Sequence, residues 1–167
     1  PGIPYSYRNR ARFHAGEERL PAFRKRGSND FVGIGFCPVC STGINTFLEK
    51  REKITGECLT LFDTGKDVFT DGTFSVDVKD KVIGTDADCF FQSNLYMLEK
   101  AVDLVCEHAE GSSFFDLYCG TGVFGSFLAD KGDRLVSVES DRKAVSHARK
   151  NISSSISSRS TISGNTI

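Results

Sequence analysis

The sequence predicts a mixed chain, α+β and then α/β: a small antiparallel β module over residues 1–90, followed by the first half of a doubly wound parallel-sheet domain over residues 91–151. Three observations carry that expectation. Cys58 to Phe62 and Phe69 to Val78 alternate apolar with polar residues, the period of a strand with one wet face. From Leu95 onward the apolar residues Leu98, Ala101, Val102 and Val105 recur at helical spacing instead. The run from Phe114 to Gly125 then joins an apolar strand to a glycine loop that opens a helix.

The elements follow in chain order. The first thirty residues are locally basic, and Arg8, Arg10 and Arg12 alternate with Asn9, Ala11 and Phe13. On a strand their three guanidinium groups share one face, which suits either a phosphate backbone or plain solvent. Tyr5, Tyr7, Phe13 and Phe23 interleave with these cations and either stack on bases or form a small core. Beyond the apolar, glycine-dotted Phe31 to Phe36 comes Cys37-Pro38-Val39-Cys40, after which Ile44, Phe47 and Leu48 predict a short helix. One CxxC supplies two ligands with no second pair at zinc spacing, so a closed zinc site is not expected and a redox pair or packed thiols remain. Asp71-Gly72, between Val68-Phe69 and Phe74-Val76, predicts a two-residue hairpin, with a second turn near Gly84-Thr85-Asp86.

After the module, Ser93 or Asn94 caps a helix that stops before Gly111. A strand, the glycine loop and a helix to Lys131 follow, with Gly132 as the stop. Leu135 to Val138 form the next strand, which ends at Glu139, and Ser140 caps a last helix that buries Ala144, Val145 and Ala148. This βαβα order begins an α/β sheet. Two parallel strands cannot cover both faces of a sheet, so the segment reads as half a domain whose unpaired edge favours self-association. Residues 152–167 read as a disordered Ser-rich tail.

Gly120 and Gly122 let the chain turn tightly and approach a ligand, and Glu139 stands where a carboxylate accepts both hydroxyls of a ribose. With Gly125 they also complete G-x-G-x-x-G, which suits a nicotinamide or flavin dinucleotide. Asp116 weighs against that ligand, because a carboxylate one turn upstream repels a pyrophosphate and attracts the sulfonium and ammonium of S-adenosylmethionine. A glycine turn with no ligand is the third reading. The net charge of -1 exerts no global pull on nucleic acid. No apolar run is long enough to span a membrane and no leader opens the chain, so a cytoplasmic protein without a membrane partner is expected, its cysteines reduced with Cys37 as the candidate exception.

Tyr7-Arg8-Asn9-Arg10-Ala11-Arg12, Phe23-Arg24-Lys25-Arg26-Gly27-Ser28, Cys37-Pro38-Val39, Phe90-Phe91-Gln92-Ser93-Asn94 and Asp116-Leu117-Tyr118-Cys119-Gly120 occur in that order. Together, from about Tyr5 to Asn151, they resemble the bacterial RNA uracil-C5 methyltransferases, of class I with a Rossmann-like methyltransferase domain. The resemblance implies S-adenosyl-L-methionine as cofactor, contacted by Gln92, Tyr118 and Glu139, with Gly120 and Gly122 shaping the loop. Val123 departs from the polar residue often found there. Cys37 matches the fourth ligand of an iron–sulfur cluster whose other three cysteines this chain lacks, which makes a cluster doubtful. The implied reaction is methylation of uridine C5 in rRNA or tRNA, after a cysteine thiolate has added to C6 and made C5 nucleophilic. Nucleophile and base belong to motifs downstream, and no cysteine follows Cys119, so no catalytic residue is assigned. By this reading the chain is a fragment, inactive alone, without the N-terminal RNA-binding barrel and the C-terminal catalytic half. A methyltransferase for another substrate class and a non-catalytic RNA-binding remnant are the alternatives.

Overall fold

The computed structural model describes residues 4–153 and the backbone of residues 159–163. The chain divides into two compact units, residues 1–72 with 92–95 and residues 73–91 with 96–167.

The first unit is built on β1 (Arg10–Ala15), β2 (Pro21–Arg24), β3 (Phe31–Gly33), β4 (Cys58–Asp63) and β5 (Val68–Phe69), hydrogen-bonded in the order β3-β2-β1-β4-β5 with every neighbour antiparallel. Its helix α1 (Thr42–Glu49) starts where the Ser41 hydroxyl accepts the Ile44 N–H at 3.5 Å. Strand alternation does the sorting. Ala11, Phe13 and Leu61 turn to one face, where they pack with Ile44 and Leu48 of α1 and with Cys40 and Ile54. The registers put Arg12 opposite Thr60, His14 opposite both Cys58 and Ala22, and Arg24 opposite Phe31 on the other face. Residues 92–95 return to this unit through Asn9, whose N–H donates to Ser93 O at 3.0 Å. The Asn9 amide donates to the carbonyls of Gln92 at 3.2 Å and Ser93 at 2.8 Å.

The second unit opens with a hairpin of β6 (Thr73–Val78) and β7 (Lys81–Asp86). There follow α2 (Leu95–His108), β8 (Ser113–Leu117), α3 (Val123–Leu128), β9 (Arg134–Val138), α4 (Arg142–Ser153) and β10 (Arg159–Ser163). The three last strands form a parallel sheet in the order β10-β9-β8, with Asp116 opposite Ser137. Cys119, Leu128, Ala129, Leu135, Ala148 and Ile152 make its core. Among the described residues no helix is long and apolar enough to cross a membrane.

Several expectations are corrected here. Asp71-Gly72 is not a hairpin turn: β5 pairs with β4 and β6 with β7, so this turn passes the chain from one unit to the other. These strands turn instead at Lys79-Asp80, where Lys79 takes φ +55°, and at Thr64 to Asp67, where Gly65 takes φ +85° and donates to Asp63 Oδ1 at 2.7 Å. Gly84-Thr85-Asp86 lies inside β7. The border falls near residue 72 rather than 90, with β6 and β7 joining the parallel-sheet unit. Helix α3 ends at Leu128, three residues before Lys131, in a tightened turn. Asp141, not Ser140, caps α4, because its Oδ1 accepts the N–H groups of Lys143 and Ala144 at 2.8 and 2.9 Å. In the tail expected to be disordered, Ile152 and Ser153 complete α4 and 159–163 form β10, while 154–158 and 164–167 lie outside the described residues.

Candidate functional site

Strand β8 ends in a loop whose backbone is left-handed at every second residue. Tyr118 has φ +62°, Gly120 +54° and Gly122 +82°. For tyrosine that conformation is strained, and such strain collects at functional positions. The Tyr118 side chain is 91% exposed at the strand end. Gly122 has a second constraint, since a Cβ there would stand 3.0 Å from the backbone of Ala148 in α4. Around Gly120 the space is open.

Glu139, just past β9, closes the loop. Its Oε2 accepts the Gly120 N–H at 2.9 Å, and Oε1 accepts the N–H groups of Ser140 and Asp141 at 2.7 and 2.9 Å and the Ser140 hydroxyl at 3.3 Å. Partial burial alone would raise its carboxyl, but the donors of Asp141, Gly120 and Ser140 outweigh it and hold the group below its usual value. An ionised carboxylate therefore stands beside an open, Cβ-free stretch of backbone. That arrangement suits a ribose diol, since hydrogen bonds to an ionised acceptor are the stronger kind.

Asp116 behaves otherwise. Phe115 and Leu117 take the outward face of β8, so alternation turns Asp116 inward, its Oδ2 3.0 Å from where a Gly125 Cβ would be. Burial pushes its carboxyl up, opposed by the Gly125 N–H. The sequence predicts an acid facing the ligand; the strand period buries this one under the loop. Cys119 is also buried, and burial, then the charges of Asp116 and Glu139, push its thiol up to about 12. It is a protonated packing residue at neutral pH. Sequence reasoning missed Asn151, whose amide accepts from Gly84 N at 2.9 Å and donates to Gly84 O and Thr121 O at 2.8 and 2.7 Å. It ties β7 to the glycine loop, and only its place on the buried face of α4 could have signalled it.

Residues 61–162, more than half of the chain, match the profile of the tRNA (Uracil-5-)-methyltransferase family. The chain belongs to that family. An uncharacterized RNA methyltransferase of Treponema denticola is 30% identical over 156 residues, which cover 90% of this chain and 39% of the relative. The tRNA (uracil(54)-C(5))-methyltransferase of Pyrococcus horikoshii is 42% identical over 62 residues, 37% of this chain and 15% of that enzyme. A crystal structure of the Pyrococcus abyssi tRNA (uracil-54, C5)-methyltransferase with S-adenosyl-L-homocysteine matches at a TM-score of 0.75 and 19% identity, over 98% of this chain and 57% of that one. The fold is therefore shared, and the chain spans well under two thirds of these relatives.

In this uracil-5-methyltransferase family member the remaining predicted residues lie in the first unit. Gln92 is exposed and held by its carbonyl to Asn9. Arg10 and Arg12 share a face of β1, but Arg8 precedes the strand, in a bridge to Cys40, and only Arg12 is exposed. Asn45 clamps the CxxC turn by accepting from Cys37 N at 2.9 Å and donating to the carbonyls of Cys37 and Cys40 at 3.0 and 3.1 Å. Burial, then the Cys37 thiol, push Cys40 up to about 12. An iron–sulfur cluster takes four thiolates, and among the described residues no group of three or more metal-ligating side chains forms. Among the described residues Cys37 and Cys40 supply two of those four ligands.

Proposed function

We propose that this chain supplies the cofactor half of an S-adenosyl-L-methionine-dependent methyltransferase acting on uridine C5 of tRNA or rRNA. The observation that carries the proposal is Glu139: its ionised carboxylate lies against Gly120 N, where the backbone is open to a ligand. When bound, the cofactor supplies a methyl group on an electrophilic sulfonium. Glu139 would hold its ribose, and Tyr118, exposed in a left-handed conformation, would cover its apolar part. Gly120 and Gly122 keep the loop open, and Asp116 supports it from beneath through Gly125. Gln92 belongs to the same proposal, because its amide both donates and accepts. Cys119, buried in the core of the parallel-sheet unit with its thiol pushed up to about 12, is given no catalytic role in this proposal.

RNA as substrate is supported by the named activities of the Pyrococcus relatives and by the exposed Arg12 on β1. Location in the cytoplasm is supported by six free cysteines. Self-association is supported by β8, a sheet-edge strand with Phe115 and Leu117 exposed.

Calorimetry with S-adenosyl-L-homocysteine, followed by incubation with labelled cofactor and unmodified tRNA, tests the proposal. Heat of binding abolished by Glu139→Ala, without turnover by the chain alone, is the expected result. Binding unaffected by Glu139→Ala would refute the cofactor site, and 5-methyluridine formed by the isolated chain would refute the division of labour.

A further inference from the structure

The face of the first unit's sheet opposite α1 carries a groove of about 610 Å3 that the cofactor site does not use. Its walls come from distant positions in the chain: Arg12 and His14 of β1, Arg24 of β2, Phe31 of β3 and Cys58 of β4. Register brings them together, since His14 pairs with Cys58 and Arg24 with Phe31. Three arginines line it against one carboxylate, Glu57. Arg19 serves as wall, its donors taken by the carbonyls of Ile54, Thr55 and Gly56 at 2.8, 2.5 and 2.7 Å. Arg12 and Arg24 form no ion pair among the described residues; Arg12 Nη2 donates to Cys58 Sγ at 2.8 Å, and Arg24 lies 6.0 Å from the Phe31 ring centroid. The rings of His14 and Phe31 are 5.2 Å apart at 31°, and Phe31 is 42% exposed. Cations beside a partly exposed aromatic ring are what a single-stranded nucleotide requires: the guanidinium groups take the phosphate and the ring takes the base.

We infer that this groove binds one unpaired nucleotide of the RNA substrate, with Arg12 and Arg24 on its phosphate and Phe31 beneath its base. The inference rests on the RNA reading above and adds a site that holds a nucleotide by stacking. A polyanion patch would use the arginines alone; the aromatic floor selects a base.

The test is fluorescence anisotropy of a short 5′-fluorescein oligouridylate with the full chain, titrated with salt. Arg12→Gln and Arg24→Gln are each expected to weaken binding roughly tenfold and to lower the salt slope by about 0.7. Phe31→Leu is expected to weaken it roughly tenfold with the slope unchanged. In the unmodified protein the oligonucleotide should shield Cys58 from N-ethylmaleimide, read by peptide mass spectrometry, and this footprint decides if a variant fails to fold. Unchanged affinity in all three variants with Cys58 equally labelled would overturn the groove and leave the RNA substrate standing. Loss of affinity in the arginine variants alone, with heparin competing as well as oligouridylate, would reduce the groove to an anion patch and also overturn it. No binding of the oligonucleotide, with S-adenosyl-L-homocysteine binding intact by calorimetry, would remove the RNA reading and the groove while sparing the cofactor site.

Discussion

Gly122 and Arg12 mark two ways of making the surfaces proposed for a ligand. In the second unit the backbone makes it: Gly120 and Gly122 hold left-handed conformations, α4 forbids a side chain at Gly122, and Glu139 accepts a main-chain N–H. In the first unit side chains make it, since the groove exists only because three antiparallel registers bring Arg12, His14, Arg24, Phe31 and Cys58 onto one face. A backbone site is intolerant of substitution and leaves a local mark in the sequence. A register site tolerates single changes with graded loss, and its residues are scattered along the chain.

The sharpest way to break this contrast is Gly122→Ala. Left-handed strain and the contact with Ala148 together should cost roughly 2–4 kcal/mol, read as a fall in the urea midpoint at constant slope. A loss near zero would mean that the loop is not sterically defined. Next comes Asn151→Ala, which leaves Gly84 and Thr121 short of partners at a cost of about 2 kcal/mol. Hydrogen exchange should then speed at the Gly84 amide, and equal protection would show that the clamp is idle.

Glu139→Gln comes third and touches affinity more than stability. Losing the charged acceptor proposed for the ribose should weaken S-adenosyl-L-homocysteine binding roughly tenfold to a hundredfold by calorimetry. Because the folded-state carboxyl lies below its usual value, its contribution to stability is full above the unfolded value and disappears as pH falls through the lower folded one. The glutamine variant should therefore lose less stability on acidification, and an unchanged acid limb would contradict the loop contacts. The smallest effect is Asp116→Asn. Burial raises this carboxyl, so its contribution to stability falls as pH rises from the ordinary carboxylate value through the folded one. Asparagine should leave the protein slightly more stable at neutral pH, with cofactor affinity unchanged. A large drop in affinity would return Asp116 to direct contact with the ligand.

What the sequence makes legible follows from the same contrast. Strand, glycine loop, helix and the carboxylate at Glu139 are readable because they lie within a short stretch and rest on glycine's conformational freedom. Helix α1 is readable from Ile44, Phe47 and Leu48 because helical period is local too. Asp71-Gly72 misleads because its turn chemistry is genuine while its flanking strands find other partners, a tertiary decision invisible to a dipeptide. The inward Asp116 follows from strand phase, which Phe115 and Leu117 settle by taking the outer face. Arg24 and Phe31 could not be joined in advance, since their pairing depends on the register of β2 and β3.

The first unit is discontinuous: residues 92–95 rejoin residues 1–72 only after the β6–β7 hairpin has been made. On the ribosome, Asn9 must therefore wait for Ser93 to emerge, and β1 to β5 are all synthesised before their last tether. Cutting the gene after residue 72 would likewise leave the first unit without residues 92–95. The two units are coupled by the order in which they are born.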